Sequence, residues 1–332
     1  MIRTTDEPVR PGRTARTVAR LPPTSFFLIS SLFHYLGPSL AVLLFARVDV
    51  LGVAWLRIAS AAVVFALWRR PWRILAGAGG AQRSVFVGLG VVLAAMNSLF
   101  YLAVDRLPLA TVGAIEFLGI VVLAAGGART KRNVLALVIA VAGVAVLTDV
   151  RLSGQTLGFV FAFANCAGFM LYVVLGHRIA SIPASGEVPA DGAMRAASMS
   201  GIDQLGLSML VAAVVATPFT VGAAGAAFLH PVWLAWGIGV GLCSSVIPYV
   251  TDQLAMARLP RATFALMLAL LPAAAIAIGL IVLGQVPTWP DLAGVGLVIA
   301  GVAIHHDTPA GPDTRAAGSS SRAGGTGVVS AE

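Results

Sequence analysis

The chain of 332 residues is 58% hydrophobic and only 11% charged, well below the quarter or so of charged residues in an ordinary soluble domain, which excludes water as the main solvent of this fold. A formal net charge of +8 would suit a nucleic-acid partner if it formed a patch. The Lys and Arg residues instead fall between apolar runs, the pattern that membrane orientation produces.

The first 23 residues form a basic, Pro-containing arm. The apolar run over 24–46 exceeds the roughly 7 to 15 residues of a cleavable signal core, so it is predicted to be an uncleaved first helix. Further runs with the length that crosses a ~30 Å hydrocarbon layer predict helices over 50–68, 84–104, 108–127 and 133–150. A second group follows over 155–178, 203–225, 231–257, 261–284 and 289–306. The expected fold class is an all-α integral membrane protein with ten transmembrane helices. Residues 179–202, with Pro183, Pro189, small residues and mixed charge, read as a long cytoplasmic connection. The Gly-, Ser-, Ala- and Pro-rich tail over 307–332 buries too little apolar surface to offset its ordering entropy and is expected to be disordered. Cys166 and Cys243 each fall inside an apolar run, where Cys behaves as a small buried hydrophobe, so no disulfide is expected.

Ten crossings place both termini on one side. With the N-terminus inside, eighteen of the 22 Lys and Arg residues are cytoplasmic, only Arg47, Arg106 and Arg151 lie outside, and Arg57 is within a helix. That asymmetry predicts cytoplasmic N- and C-termini in the inner membrane. An internal repeat divides the chain. Arg106-Leu107-Pro108 followed by Leu109-Ala110-Thr111 recurs 152 residues later as Arg258-Leu259-Pro260 followed by Arg261-Ala262-Thr263. Five helices per half is an odd number, so the second half enters the membrane inverted, an arrangement that transporters use to alternate access around a central site. The predicted units are 24–150 and 151–306.

The segments SLAVLLF (39–45), WLRIAS (55–60), RRPWRI (69–74), MNSLFYLAVDRLPLATVGAIEFLG (96–119) and SSVIPYVTDQLAMARLPRATFALMLALLPA (244–273) together resemble the drug/metabolite transporter superfamily. The likeness is to its EamA branch, and particularly to threonine/homoserine exporters. The resemblance covers roughly residues 25–306. It implies two inverted EamA-like five-helix repeats, gradient-linked efflux of small solutes and a cavity lined by both halves. Three positions depart from the family pattern: Leu271 precedes Pro272 where Glu is frequent, Ile120 stands where Pro is usual, and Gln285 follows Gly284 where Glu is typical.

Ionisable groups inside spanning helices are costly and usually face a cavity or a partner, which singles out Arg57, Glu116 and Asp252. At 1.5 Å of rise per residue, Arg57 and Glu116 both lie roughly 10 to 12 Å below the outer edge and can share a site. In it Glu116 binds a substrate ammonium or a proton in alternation, and Arg57 a carboxylate. The competing arrangement is a fixed Arg57–Glu116 ion pair joining helices two and four. Asp252, near the inner end of helix eight, is a gate or a solvated interfacial group. His34, Asn97 and Asn165 fall near the midplane and suit a solute cavity, or hydrogen-bond between helices. Tyr101, like Tyr172, Tyr249 and Trp55, lines the passage or belongs to an interfacial aromatic belt. Pro38, Pro248 and Pro272 interrupt helices one, eight and nine and supply bends or free carbonyls. The spacings Gly154–Gly158 and Gly237–Gly241 are expected by chance among 36 glycines.

A membrane enzyme would need clustered carboxylates or histidines, and here they are isolated; no Walker-type loop is present either. His305-His306 has no further ligands to complete a metal site. The expected partners are a small-molecule solute, a proton or other coupling ion and membrane lipid, with a homodimer as an allowed assembly. No catalytic residue, cofactor, metal or nucleic acid is expected.

Overall fold

The computed structural model describes residues 23–72, 79–127, 130–149, 152–180, 190–256 and 271–304. All regular structure among them is helical. The chain forms α1 (Pro23–Leu44), α2 (Val50–Arg69), α3 (Gly80–Val104), α4 (Leu109–Gly127), α5 (Lys131–Asp149), α6 (Leu152–Ala180) and α7 (Ala190–Thr220). A 3-10 turn, Gly222–Ala224, and a short helix, Gly225–Leu229, then lead into α8. This helix runs from Pro231–Gly241 through a π-helical turn, Leu242–Val246, into Ile247–Met256. Last come α9 (Leu271–Leu283) and α10 (Trp289–Ile304). Residues 1–22 of the N-terminal arm, the expected tail over 307–332, residues 181–189, the second Arg-Leu-Pro copy and His305-His306 lie outside the described residues. So does the start of the expected ninth helix, over 261–270.

Stretches within α1, α2, α3, α6, α7 and α8 are long and apolar enough to cross a membrane, and shorter apolar stretches lie in α4, α9 and α10. Their outward faces are apolar as well: Leu28, Leu67, Val138 and Phe219 are exposed, as suits helices surrounded by hydrocarbon. The expected connection over 179–202 is shorter than its composition suggested, because α7 begins at Ala190. Four of the first eight residues of α7 are Ala, the strongest helix former, and Pro189 stands before the helix.

Helix ends follow local chemistry. Asp49 Oδ1 accepts the Leu51 N–H at 2.9 Å at the start of α2, the usual N-cap solution for an orphan donor. At its far end Arg70 is left-handed (φ 51) and returns its N–H to Ala66 O, with Pro71 following. Pro231 opens α8 at the position where a missing N–H costs nothing.

The helices interleave the two halves of the chain. α5 packs along α10, α3 against α6 and α7, α2 against α7 and α8, α1 against α8 and α9, and α4 against α5, α6 and α9. Between α5 and α10 backbone meets backbone: a Cβ on Gly143 would stand 2.6 Å from Gly294 O, and one on Gly301 2.7 Å from Ala136 O. Small residues permit this approach, and van der Waals contact holds it where lipid supplies no hydrophobic drive. The α2–α7 pair is fastened at both ends. At the Arg106 end of the bundle Trp55 Nε1 donates to Thr217 Oγ1 at 2.9 Å. At the Arg69 end the Arg69 guanidinium grips both Asp203 carboxylate oxygens, with Nη2 to Oδ2 at 2.9 Å.

Candidate functional site

The site begins with an interruption of α8. Pro248 supplies no N–H to the carbonyl one turn back, that of Ser244, and α8 widens there into the π-helical turn, a feature frequent at functional positions. A backbone oxygen so released inside a membrane needs another donor. Arg57 Nη2 lies 3.3 Å from Ser244 O, and Arg57 Nε donates to Ser245 Oγ at 3.0 Å. The guanidinium also rests over the Tyr101 ring, 5.4 Å from its centroid, a cation–π contact. α1 approaches the same turn through Gly37, where a Cβ would meet Ser244 Oγ at 2.2 Å.

Arg57, only 6% exposed, reaches a cavity of about 500 Å³, counting its open mouth. α1 contributes His34 and Pro38 to the wall, α3 contributes Met96, Asn97 and Phe100, and α4 contributes Glu116. Asn165, Phe169 and Tyr172 come from α6 and Tyr249 from α8. Both halves of the chain therefore line one space. Glu116 shares the cavity with Arg57, yet no ion pair joins them among the described residues, so the fixed-pair arrangement is absent and the Arg57 donors are directed to α8 instead. Asn165 is fully buried and faces the Glu116 carboxylate, with neither amide atom in a hydrogen bond of normal geometry. Asn97 is turned the other way at its nitrogen, donating to Leu93 O at 2.7 Å. Pro38 removes the helical partner of a carbonyl one turn back, and that carbonyl is His34's own.

Other residues singled out from the sequence lie off the wall. Tyr101 is fully buried behind Arg57. Asp252 sits beside Ser30, whose Oγ donates to Pro248 O at 3.3 Å, nearer the Arg69 end. Pro248 acts on the site through Ser244, and Pro272 is buried in α9. Sequence reasoning missed Ser244, Ser245, Met96, Phe100 and Phe169. For the two serines a signal existed: Pro248 lies three and four residues after them, in the register of the carbonyl it releases.

A second cleft, of about 530 Å³ with its mouth, opens at the Arg106 end between α4, α9 and the start of α10. α9 stops at Gly284, left-handed with φ 64, and the turn returns Gln285 N–H to Gly279 O at 3.0 Å. The Gln285 side chain then crosses to α4, where its Oε1 accepts the Leu109 N–H at 3.2 Å. Thr288 and Asp291 cap the start of α10, the Asp291 carboxylate accepting from Thr288 N at 2.9 Å and Oγ1 at 2.8 Å.

A family model described as the EamA-like transporter family matches residues 189–305. The chain is similar to the threonine/homoserine exporter RhtA of Escherichia coli (strain K12), with 31% identity over 268 residues, 80% of this chain and 84% of the relative. Threonine/homoserine exporter RhtA of Salmonella typhimurium (strain SL1344) is 28% identical over 297 residues, 87% of this chain and 92% of the relative. A solved structure, described only as a crystal structure of a protein, superposes with a TM-score of 0.51 at 19% identity, covering 85% of this chain and 96% of that one, a likeness of fold alone. With apolar helices long enough to cross a bilayer, a cavity lined from both halves and these relatives along most of its length, the chain is a multi-pass membrane protein and belongs to the EamA-like transporter family.

Proposed function

We propose that the protein is a secondary transporter that exports small solutes, amino acids foremost, across the inner membrane by alternating access coupled to protons. The observation that carries this reading is the shared cavity in which a cation, Arg57, and an anion, Glu116, face one space without pairing. Two buried charges kept apart in a bilayer are costly. A zwitterionic solute offsets that cost, its carboxylate meeting Arg57 and its ammonium meeting Glu116. Between solutes a proton on Glu116 neutralises the group, which couples solute movement to proton movement in the opposite direction. The relatives named as threonine/homoserine exporters support the solute class and argue for transport rather than chemical conversion.

In this reading ten helices form two inverted five-helix repeats, 24–150 and 151–306. The helix contacts support it. Moving each helix five places along turns α3–α6 into α8–α1, α4–α6 into α9–α1 and α3–α7 into α8–α2. The pairs α2–α7, α4–α9 and α5–α10 map onto themselves. The excess of Lys and Arg puts both termini in the cytoplasm, so the Arg106 end is outer and the Arg69 end inner.

The test is exchange of labelled threonine by the full chain in proteoliposomes, compared with Glu116→Gln. Efflux driven by a proton gradient is expected to fall at least about tenfold at equal protein, since Gln cannot alternate between a charged and a protonated state inside the membrane, with the label recovered chemically unchanged. Full efflux by Glu116→Gln would remove Glu116 from coupling. Conversion of the label would make the protein an enzyme, and no exchange of any amino acid would end the solute assignment.

A further inference from the structure

We infer that Asn165 sets the side-chain specificity of the central cavity, its amide taking the hydroxyl of a β-hydroxy amino acid. The place of that hydroxyl rests on the export reading, in which the solute carboxylate meets Arg57 and the ammonium meets Glu116. The state of the amide stands on the local geometry. Several hydroxyls inside the helices return to their own backbone, as Ser98 Oγ does to Ala94 O at 2.9 Å and Thr217 Oγ1 to Ala213 O at 2.6 Å. Asn97, also on the cavity wall, gives its nitrogen to Leu93 O. Asn165 does neither. It is 0% exposed and lines the cavity, and both its Oδ1 and its Nδ2 are buried without a hydrogen bond among the described residues. Buried polar groups are normally satisfied, and an amide buried without a partner is costly.

The chemistry of the amide selects its partner. Oδ1 accepts and Nδ2 donates. A hydroxyl does both and answers both atoms, whereas an ammonium or a carboxylate answers one and a methyl group answers neither. The position agrees. The amide faces the Glu116 carboxylate, and in a β-hydroxy amino acid the hydroxyl is borne on the carbon next to the one that carries the ammonium. A solute whose ammonium meets Glu116 therefore brings its hydroxyl to Asn165. Met96, Phe100 and Phe169 supply an apolar wall for the rest of the side chain. α6 is also pressed close to its neighbours on either side of Asn165 in sequence. A Cβ on Gly119 of α4 would stand 3.0 Å from Cys166 Sγ and Met170 Cγ, and one on Gly168 would stand 3.1 Å from Met96 Cβ of α3. The amide is thus held in place before a solute arrives, which sharpens discrimination.

The test is exchange of labelled L-threonine by the full chain in proteoliposomes, competed by unlabelled L-threonine or by L-valine, which carries a methyl group in place of the hydroxyl. Valine is expected to need a concentration at least about tenfold higher for half-inhibition, the effect of leaving a buried polar group unpaired. Asn165→Leu, of similar size, should narrow that ratio to within about twofold by weakening threonine and not valine, because the hydroxyl then meets an apolar wall. Asn165→Ala, which asks less of the packing, should narrow it in the same way. Valine matching threonine in the unaltered chain, a ratio that survives the variants, or variants that weaken both solutes alike overturns the inference. In the last case the amide serves Glu116 alone. Melting of the detergent-solubilised chain with each amino acid separates the two readings. Stabilisation by threonine above valine that disappears in Asn165→Ala, without exchange of either, keeps the hydroxyl site and discards export. Exchange with equal stabilisation does the reverse, and neither exchange nor stabilisation ends both.

Discussion

Arg57 is held from behind: Ser245 Oγ, Ser244 O and the Tyr101 face fix the guanidinium before any solute arrives, which cuts the ordering cost of binding. Lysine keeps the charge but lacks the planar fork. Arg57→Lys is therefore expected to lower kcat/KM for exchange about tenfold or more. Ser245→Ala, removing one of the contacts that orient the guanidinium, should lower it by about three- to tenfold, the scale of one ordinary net hydrogen bond. An unchanged rate in both variants would separate Arg57 from the solute. Counting residues along each helix puts His34, Arg57, Asn97, Glu116 and Asn165 at compatible depths, and all five line the cavity. Depth does not give direction around the helix axis, and for that reason Tyr101, of suitable type, stands off the wall behind Arg57, while Asp252 lies nearer the Arg69 end beside Ser30. Ser244 and Ser245 were hidden for another reason: a hydroxyl inside an apolar helix normally returns to its own backbone, as Thr251 Oγ1 does to Ile247 O at 2.8 Å.

At the scale of elements, the π-helical turn of α8 is clamped between α1 and α2. Gly37 meets it from α1, while a Cβ on Gly237 would stand 2.5 Å from Leu56 Cδ1 and one on Gly241 2.8 Å from Arg57 O. The Gly237–Gly241 spacing, expected by chance from composition, is thus the α8 surface that receives α2. One sequence cannot distinguish a glycine kept for contact from one that is merely present. A methyl group at Gly37 would lie 2.6 Å from Ser244 N and 2.7 Å from Ser244 Cα, both backbone atoms, so no rotamer relieves it. Gly37→Ala is expected to destabilise the protein by about 1 to 3 kcal/mol, seen as a lower melting temperature in detergent. Adding Ser244→Ala should recover little of that loss. Unchanged melting would mean that α1 does not press on the turn. The start of α7 shows the opposite error, where Gly, Ser and mixed charge outweighed the Ala content in the reading of 190–202.

For the whole molecule, an alternation of apolar runs was legible because a bilayer imposes it on any spanning chain, whereas the interleaving of the halves was not. Nothing in the pattern of apolar residues says that α1 seeks α8 and α9, or α5 seeks α10. The Arg-Leu-Pro repeat hinted at inversion, though its second copy lies outside the described residues. Orientation is open to direct measurement. Arg47→Cys is expected to react with impermeant maleimide from outside intact cells, and Arg83→Cys only after the membrane is opened. The reverse pattern would invert the topology. The α5–α10 contact sets an order of assembly. Residue 149 ends α5 and residue 289 begins α10, so at bacterial-like synthesis rates of about 5 to 20 residues per second the ribosome delivers the partner on the order of ten seconds later. For that interval Gly143 lacks the Gly294 backbone that it meets in the finished fold, and lipid is a poor match for a groove shaped to a backbone. α10 is made long after the half that it completes, and a chain truncated before residue 289 lacks the backbone surface that meets Gly143 and Ala136.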